Sequence, residues 1–370
     1  MPAPNPSPAG SGRPPGDPVP KSVLVVGGAG YIGCVLCELL LLEGFRVTVL
    51  DCLKNGPEVL DGLIDKPGFD LFAGDCRDTG LLTRLVAGHD ACVWLAALVG
   101  EKACLENPLA AFETNYLAAL SAYECCSFAG GKRFVFASTD SCYGRREGET
   151  LTELSTLAPL SLYAELKARA EGRILAGAGP APLFPPLAPG ADSSPTEKNR
   201  APEPAGQAGR TIIPTVLRLA TVYGAAPRSR FDLAVNRLVR DAALGLGAKI
   251  FSGEQWRPFA HVRDAARAFV MTLKAPAPLV SGQVFNVGSN ENNVQFKELA
   301  VLLKKVCPGA DVGIVPRDPD LRDYFVDFTK IRLALGFVPS MTLEEGMADL
   351  RDRILGGAPP DPFDGRWVNA

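Results

Sequence analysis

The stretch SVLVVGGAGYIG, Ser22 to Gly33, decides the fold. Ser22 to Val26 is a short apolar run whose β-branched valines read as a buried strand. Gly27, Gly30 and Gly33 follow at three-residue spacing, and the helical pattern CVLCELLLLEG begins at once. A strand, a glycine turn and a helix in that order bind a dinucleotide. A side chain in the turn would hold the backbone away from a pyrophosphate, and the helix N-terminus offers that anion free N–H groups and a partial positive charge. Gly27, Gly30, Tyr31, Ile32 and Gly33 are therefore the first candidate cofactor residues. Asp51 ends the next apolar run, RVTVLD. A carboxylate there accepts hydrogen bonds from both ribose hydroxyls and repels a 2′-phosphate, which selects NAD over NADP.

From Ser22 to about Leu219 strand and helix patterns alternate, which predicts an α/β fold: a Rossmann-type doubly wound parallel sheet with helices on both faces. FDLFAGDCRD puts Asp75 and Cys76 just past a third strand, at the edge that meets adenine. Ala96 and Ala97, small residues closing the strand ACVWLAA, let a cofactor lie against the backbone. Asn115 lies on the helix that follows; it either ties that helix to the strand or serves the cofactor.

The strand KRFVFAS ends in STDSCYG, and a later helix carries LYAELKARAE. Tyr163 and Lys167, four apart, share one helix face. A phenol titrates near ~10 and is a poor base at neutral pH. A neighbouring ammonium stabilises the phenolate and can also bond a cofactor ribose. Thr139, at the strand end, supplies a hydroxyl to hold a sugar oxygen beside Tyr163. Thr139, Tyr163 and Lys167 form the candidate catalytic trio.

The 370 residues suffice for one large domain or two moderate ones, and a net charge of -3 gives no reason to expect nucleic acid or an anionic membrane. No apolar run is long enough to span a bilayer. The ten cysteines are scattered, several within apolar runs, and read as reduced thiols of a cytoplasmic protein. With two histidines and no second Cys pair at zinc spacing, no metal site is expected. Residues 1–20 are rich in proline and expected to be disordered, and so is the Pro/Ala/Gly/Ser-rich insertion 177–210. The dinucleotide domain is assigned to 21–176 and 211–222. Residues 223–370, where shorter strands mix with helices, are assigned mainly to substrate binding. Arg230, Arg257 and Arg317 recur at loops there and suit bidentate contact with a diphosphate.

Taken together, GGAGYIG, Asp51, LAALVG, ASTDSCYG, YAELK, LRLATVYG, RPFAHVRD and RDYFVDFTKIRLALGF resemble the extended short-chain dehydrogenase/reductase family, in particular its NAD-dependent nucleotide-sugar epimerases and dehydratases. The resemblance implies a smaller C-terminal domain closing over a nucleoside diphosphate sugar, and a homodimer. It makes Tyr163 the general base, Lys167 its activator and Thr139 the hydroxyl partner. It places Arg257, Arg317 and Asp320 on the nucleotide, and Arg230 and Asn236 of RFDLAVN beside the substrate. The family's dehydratases carry Thr-Asp-Glu at the strand end; here the run is Thr139, Asp140, Ser141. Asp140 can still serve as an acid, but a serine cannot replace the glutamate as a base. The expected activity is 4-epimerisation of a nucleotide sugar, with net redox or dehydratase chemistry, or a non-catalytic NAD sensor, as alternatives.

Overall fold

A computed structural model describes residues 19–177, 212–251, 253–316 and 322–369. The proline-rich start up to residue 18, the insertion from 178 to 211, and Arg317 and Asp320 lie outside the described residues.

Fourteen strands are described, in order β1 (Ser22–Val26), β2 (Arg46–Asp51), β3 (Phe69–Ala73), β4 (Ala91–Trp94), β5 (Arg133–Thr139), β6 (Arg145–Leu151), β7 (Ile213–Leu219), β8 (Thr221–Tyr223), β9 (Ala248–Phe251), β10 (Trp256–His261), β11 (Gln283–Val287), β12 (Asn293–Gln295), β13 (Val312–Val315) and β14 (Asp323–Val326). Seven form one parallel sheet in the order β11-β7-β5-β4-β1-β2-β3. The order reverses at β1, between β2 and β4. In such sheets the crevice beyond the carboxyl ends at the reversal is where ligands bind.

The central strands are apolar on both faces because both faces are covered. Val23 and Val25 meet the helices Tyr31–Leu42 and Val262–Lys274; Leu24 and Val26 meet Thr79–Ala87, Ala119–Ala129 and Leu162–Leu175. Each fully buried Val, Leu or Phe here contributes roughly 1.5–3 kcal/mol, so this double-sided burial fixes the register that aligns the strand ends.

The domain boundary differs from the sequence reading. The chain does not leave the sheet for good at residue 222: Val262–Lys274 packs on Tyr31–Leu42, and β11 pairs with β7 as the seventh strand. The smaller part is built from β8-β10-β12, β9 with β13, and β6 with β14. The last pair brings residues 323–326 beside the loop that follows β5, over a small core of Tyr143, Leu151, Tyr324, Val326 and Phe328. The RFDL run at 230–233 is a turn, and the helix after it runs from Ala234 to Ala243.

Candidate active site

The glycine turn is tight for packing reasons that are visible atom by atom. Gly27 has φ +89°, and a Cβ there would lie 2.6 Å from the Ala96 nitrogen. A Cβ on Gly33 would lie 2.4 Å from the Gly27 oxygen. Gly30 precedes the helix Tyr31–Leu42, whose start has no side-chain cap, so its first-turn N–H groups remain available to an anion. Asp51 braces the turn: Oδ2 accepts from the Ala29 N–H at 3.0 Å and Oδ1 from Leu53 N–H at 2.8 Å. Burial raises its pKa, against the pull of those two bonds.

The other proposed cofactor residues fall along the same edge. Ile32 is half-buried, as are Ala96 and Ala97. Tyr31 is buried; its hydroxyl donates to Gly224 O at 2.6 Å, which pins the glycine turn to the far lip of the crevice. Asp75 holds Arg77 bidentately, and that contact lowers its carboxyl pKa. Cys76 lies beside it, its thiol pushed up to about 12 by burial. Asn115 sits in a π-helical turn, Glu113–Ala118, and is fully buried. Its Oδ1 accepts from Leu98 N–H at 2.7 Å and its Nδ2 donates to Leu98 O at 2.9 Å, so it ties the helix to the segment after β4.

The candidate catalytic groups gather at the carboxyl end of β5. Thr139 ends the strand, and its Oγ1 accepts from Ser141 N–H at 3.2 Å. Ser161 caps the helix that carries Tyr163 and Lys167 by accepting from Ala164 N–H. Lys167 is 1% exposed; its Nζ donates to Ala137 O at 2.9 Å and lies 4.7 Å above the Phe136 ring. Burial lowers its pKa to about 8. The Tyr163 phenol is raised, chiefly by burial, and the cation acting against that is Arg230. Lys167 instead turns its ammonium to the β5 backbone.

Arg230 pairs with Asp232 through Nε at 3.1 Å. Asn236 is buried and spends its polar atoms inside the fold: Oδ1 accepts from Gly224 N–H, and Nδ2 donates to Arg230 O and to the Tyr31 hydroxyl. It therefore holds the Arg230 loop against the glycine turn. Arg257 is 3% exposed on β10, with its guanidinium 5.0 Å above the Tyr324 ring. Tyr324 was not singled out in the sequence. It reaches the site because β14 pairs with β6, and its buried phenol lies beside Ser141. Only the pairing of strands far apart in the chain signals it.

Asp140 is 1% exposed, and neither carboxylate oxygen has a hydrogen-bond partner. Burial raises its pKa well above the carboxylate range; Arg218 opposes this, while Glu153 and Glu171 reinforce it. A folded pKa above the unfolded value means the unfolded chain loses its proton first. Stability is then fully present below the ordinary carboxylate range and is lost as pH rises toward the folded pKa, by up to about 1.4 kcal/mol per pH unit. Asp140→Asn should remove that dependence. Thermal melts between pH 5 and 7 should show the variant gaining on the parent as pH rises; a difference that stays constant with pH would contradict the assignment.

The profile of the NAD dependent epimerase/dehydratase family matches residues 23–176 and 203–288. The chain belongs to this family. It is similar to a UDP-glucuronate 4-epimerase of Thermodesulfobacterium geofontis, 28% identical over 335 residues, covering 88% of this chain and 93% of that protein. It is equally similar to a dTDP-glucose 4,6-dehydratase of Streptomyces niveus, 28% identical over 339 residues, covering 88% and 90%. Among solved structures it resembles MoeE5 in complex with UDP-glucuronic acid and NAD, with a TM-score of 0.72 and 26% identity over 91% of this chain and 99% of that one. The protein is an enzyme of this family with NAD as its cofactor. The chain's own residues fit NAD: a turn that any Cβ would fill, an uncapped helix start, and a carboxylate at the end of β2. The family match is interrupted at residues 177–202, within the insertion read from composition.

Proposed function

We propose that the enzyme is a nucleotide-sugar 4-epimerase. The observation that carries this reading is the strand end of β5. Thr139 and the Tyr163/Lys167 helix converge there, and Ser141 stands where a dehydratase needs a second carboxyl. When bound, NAD supplies a hydride acceptor that returns the hydride, so nothing is lost from the sugar. Tyr163 takes the proton of the C4 hydroxyl and later restores it. Thr139 holds the same oxygen, and Lys167, one turn along the same helix with its ammonium held by Ala137 O, supplies the activating charge. Arg257, with Arg317 and Asp320, holds the nucleoside diphosphate, while Arg230 covers the sugar. The relatives' names support a nucleoside diphosphate sugar as the substrate class.

A homodimer fits the exposed apolar residues Leu105, Leu109 and Phe128 on the helices Glu101–Glu106, Pro108–Phe112 and Ala119–Ala129. All ten cysteines are unpaired, in keeping with a reducing, cytoplasmic setting. No helix among the described residues is long and apolar enough to cross a membrane.

Incubating purified enzyme with UDP-glucose or UDP-glucuronate should yield the 4-epimer with no accumulation at the reduced-nicotinamide absorbance band. Accumulating reduced cofactor would replace this reading by net dehydrogenation. A 4-keto-6-deoxy product would replace it by dehydration through Asp140.

A further inference from the structure

We infer that Arg228 is a positioning residue for NAD, acting through a clasp in which segment 361–369 holds the loop that follows Asp51. This rests on the NAD assignment and not on the epimerase reading.

The loop is the starting point. Leu53 has φ +54°, a conformation that a leucine rarely adopts, and Gly56 has φ +85°. Such a backbone persists only where its surroundings dictate it. Asp51 supplies one restraint, by accepting from Leu53 N–H. The others come from far along the chain. Arg228 Nη2 donates to Asn55 Oδ1 at 3.2 Å and to Asn369 Oδ1 at 2.5 Å. Arg366 forms an ion pair with Glu58. The segment itself is anchored: Trp367 is buried in the main core, its carbonyl accepts from Phe231 N–H at 2.8 Å, and its indole N–H bonds to Asp361 O at 2.9 Å.

Arg228 is an unusual choice for a merely structural strut. It is 3% exposed and has no carboxylate within ion-pair distance among the described residues, and its Nε is buried without a hydrogen-bond partner. Two neutral amides are a poor return for burying a guanidinium. Its place accounts for it. Asp51 is close enough for the two charges to act on each other, and Arg228 also lies near the Cys34 thiol at the start of the helix Tyr31–Leu42. A fixed cation is thus set between the glycine turn and the ribose-side loop, at the adenosine end of the crevice, and its bonds to Asn55 and Asn369 keep that loop in its strained, ribose-facing form. Where a loop is competent only part of the time, apparent affinity falls by that fraction.

The test uses full-length enzyme stripped of nucleotide, and titrates NAD, AMP and nicotinamide mononucleotide into the parent, Asn369→Ala, Arg228→Gln and Arg228→Lys. Asn369→Ala and Arg228→Gln should weaken NAD and AMP in parallel, by about tenfold if the competent loop falls to a tenth of the population. Nicotinamide mononucleotide should be unchanged, and Arg228→Lys should recover part of the loss. Parent-like affinity for AMP in both variants, or equal losses for both half-molecules with a lowered melting temperature, would overturn the proposal. Failure of the enzyme to epimerise sugars would leave these affinities, and so the clasp, untouched.

Discussion

Tyr163→Phe should lower kcat by about a thousandfold, the range expected for loss of a positioned acid–base group, with NAD still bound and the KM for the sugar nucleotide within a few-fold of the parent. The hydroxyl is the only atom removed, so the helix, its Ser161 cap and the burial of Lys167 are all kept. The structure sharpens the reason for a large effect. Burial lifts the phenol above its ordinary value, so the free chain holds it protonated at neutral pH. On the epimerase reading, the proton transfer therefore depends on nearby cations: Arg230, whose charge opposes the rise, and Lys167, one helical turn away and held at Ala137 O. Since burial brings Lys167 down to about 8, its charge is lost as pH rises through that value, and Lys167→Met should reproduce at all pH values the deficit that the parent shows on its alkaline side. Steady-state kinetics with product analysis decide the matter. A Tyr163→Phe enzyme keeping a tenth or more of parent kcat would show that another group moves the proton.

Local patterns made much of this legible in the sequence. The glycine turn, Asp51 and the Tyr163/Lys167 helix are each written in fewer than a dozen consecutive residues, and period and spacing suffice to place them. Those signals also gave the direction of the sheet and the edge where the site lies. What stayed hidden is carried by contacts between distant segments. Tyr324 reaches Ser141 only through the pairing of β6 with β14, and Arg228 meets Asn55 and Asn369 across most of the chain. The return of β11 to the sheet edge is hidden for the same reason, since FNVGS looks like any short strand. The π-helical turn around Asn115 leaves no mark in hydrophobic period, because one extra residue in a turn shifts the pattern by less than its own scatter. Arg230 and Asn236 show the opposite difficulty: resemblance put both beside the substrate, yet only geometry separates the arginine whose charge reaches Tyr163 from the asparagine that braces its loop.

The largest stability effect is expected one helical turn beyond Lys167, at Glu171. Its carboxylate, 2% exposed, meets the Arg218 guanidinium of β7, 5% exposed, and Oε2 also accepts from the Ser138 hydroxyl of β5 at 2.8 Å. Arg218 in turn donates to the Tyr143 hydroxyl at 2.8 Å, and that hydroxyl reaches Asn286 of β11. One ion pair therefore joins the helix Leu162–Leu175 to three strands of the sheet. Removing either partner strands the other charge in the interior. Glu171→Gln or Arg218→Met should each cost about 3–5 kcal/mol, read as a shift in the urea midpoint with little change in slope. Glu171→Leu combined with Arg218→Met should recover much of that loss, because two apolar side chains avoid the desolvation that the lone charge suffers. The double variant then separates the pair's two roles. Arg218 is also the cation that opposes the burial-driven rise of the Asp140 pKa, so a stable double variant should leave Asp140 harder still to ionise. If it folds with parent-like stability yet turns over slowly, the ion pair serves the electrostatics of the strand end more than the anchoring of the helix. If stability and kcat both return, anchoring was its contribution. Single variants costing under about 1 kcal/mol, the value of an exposed pair, would show that water reaches these charges and that the helix is held by its apolar face alone.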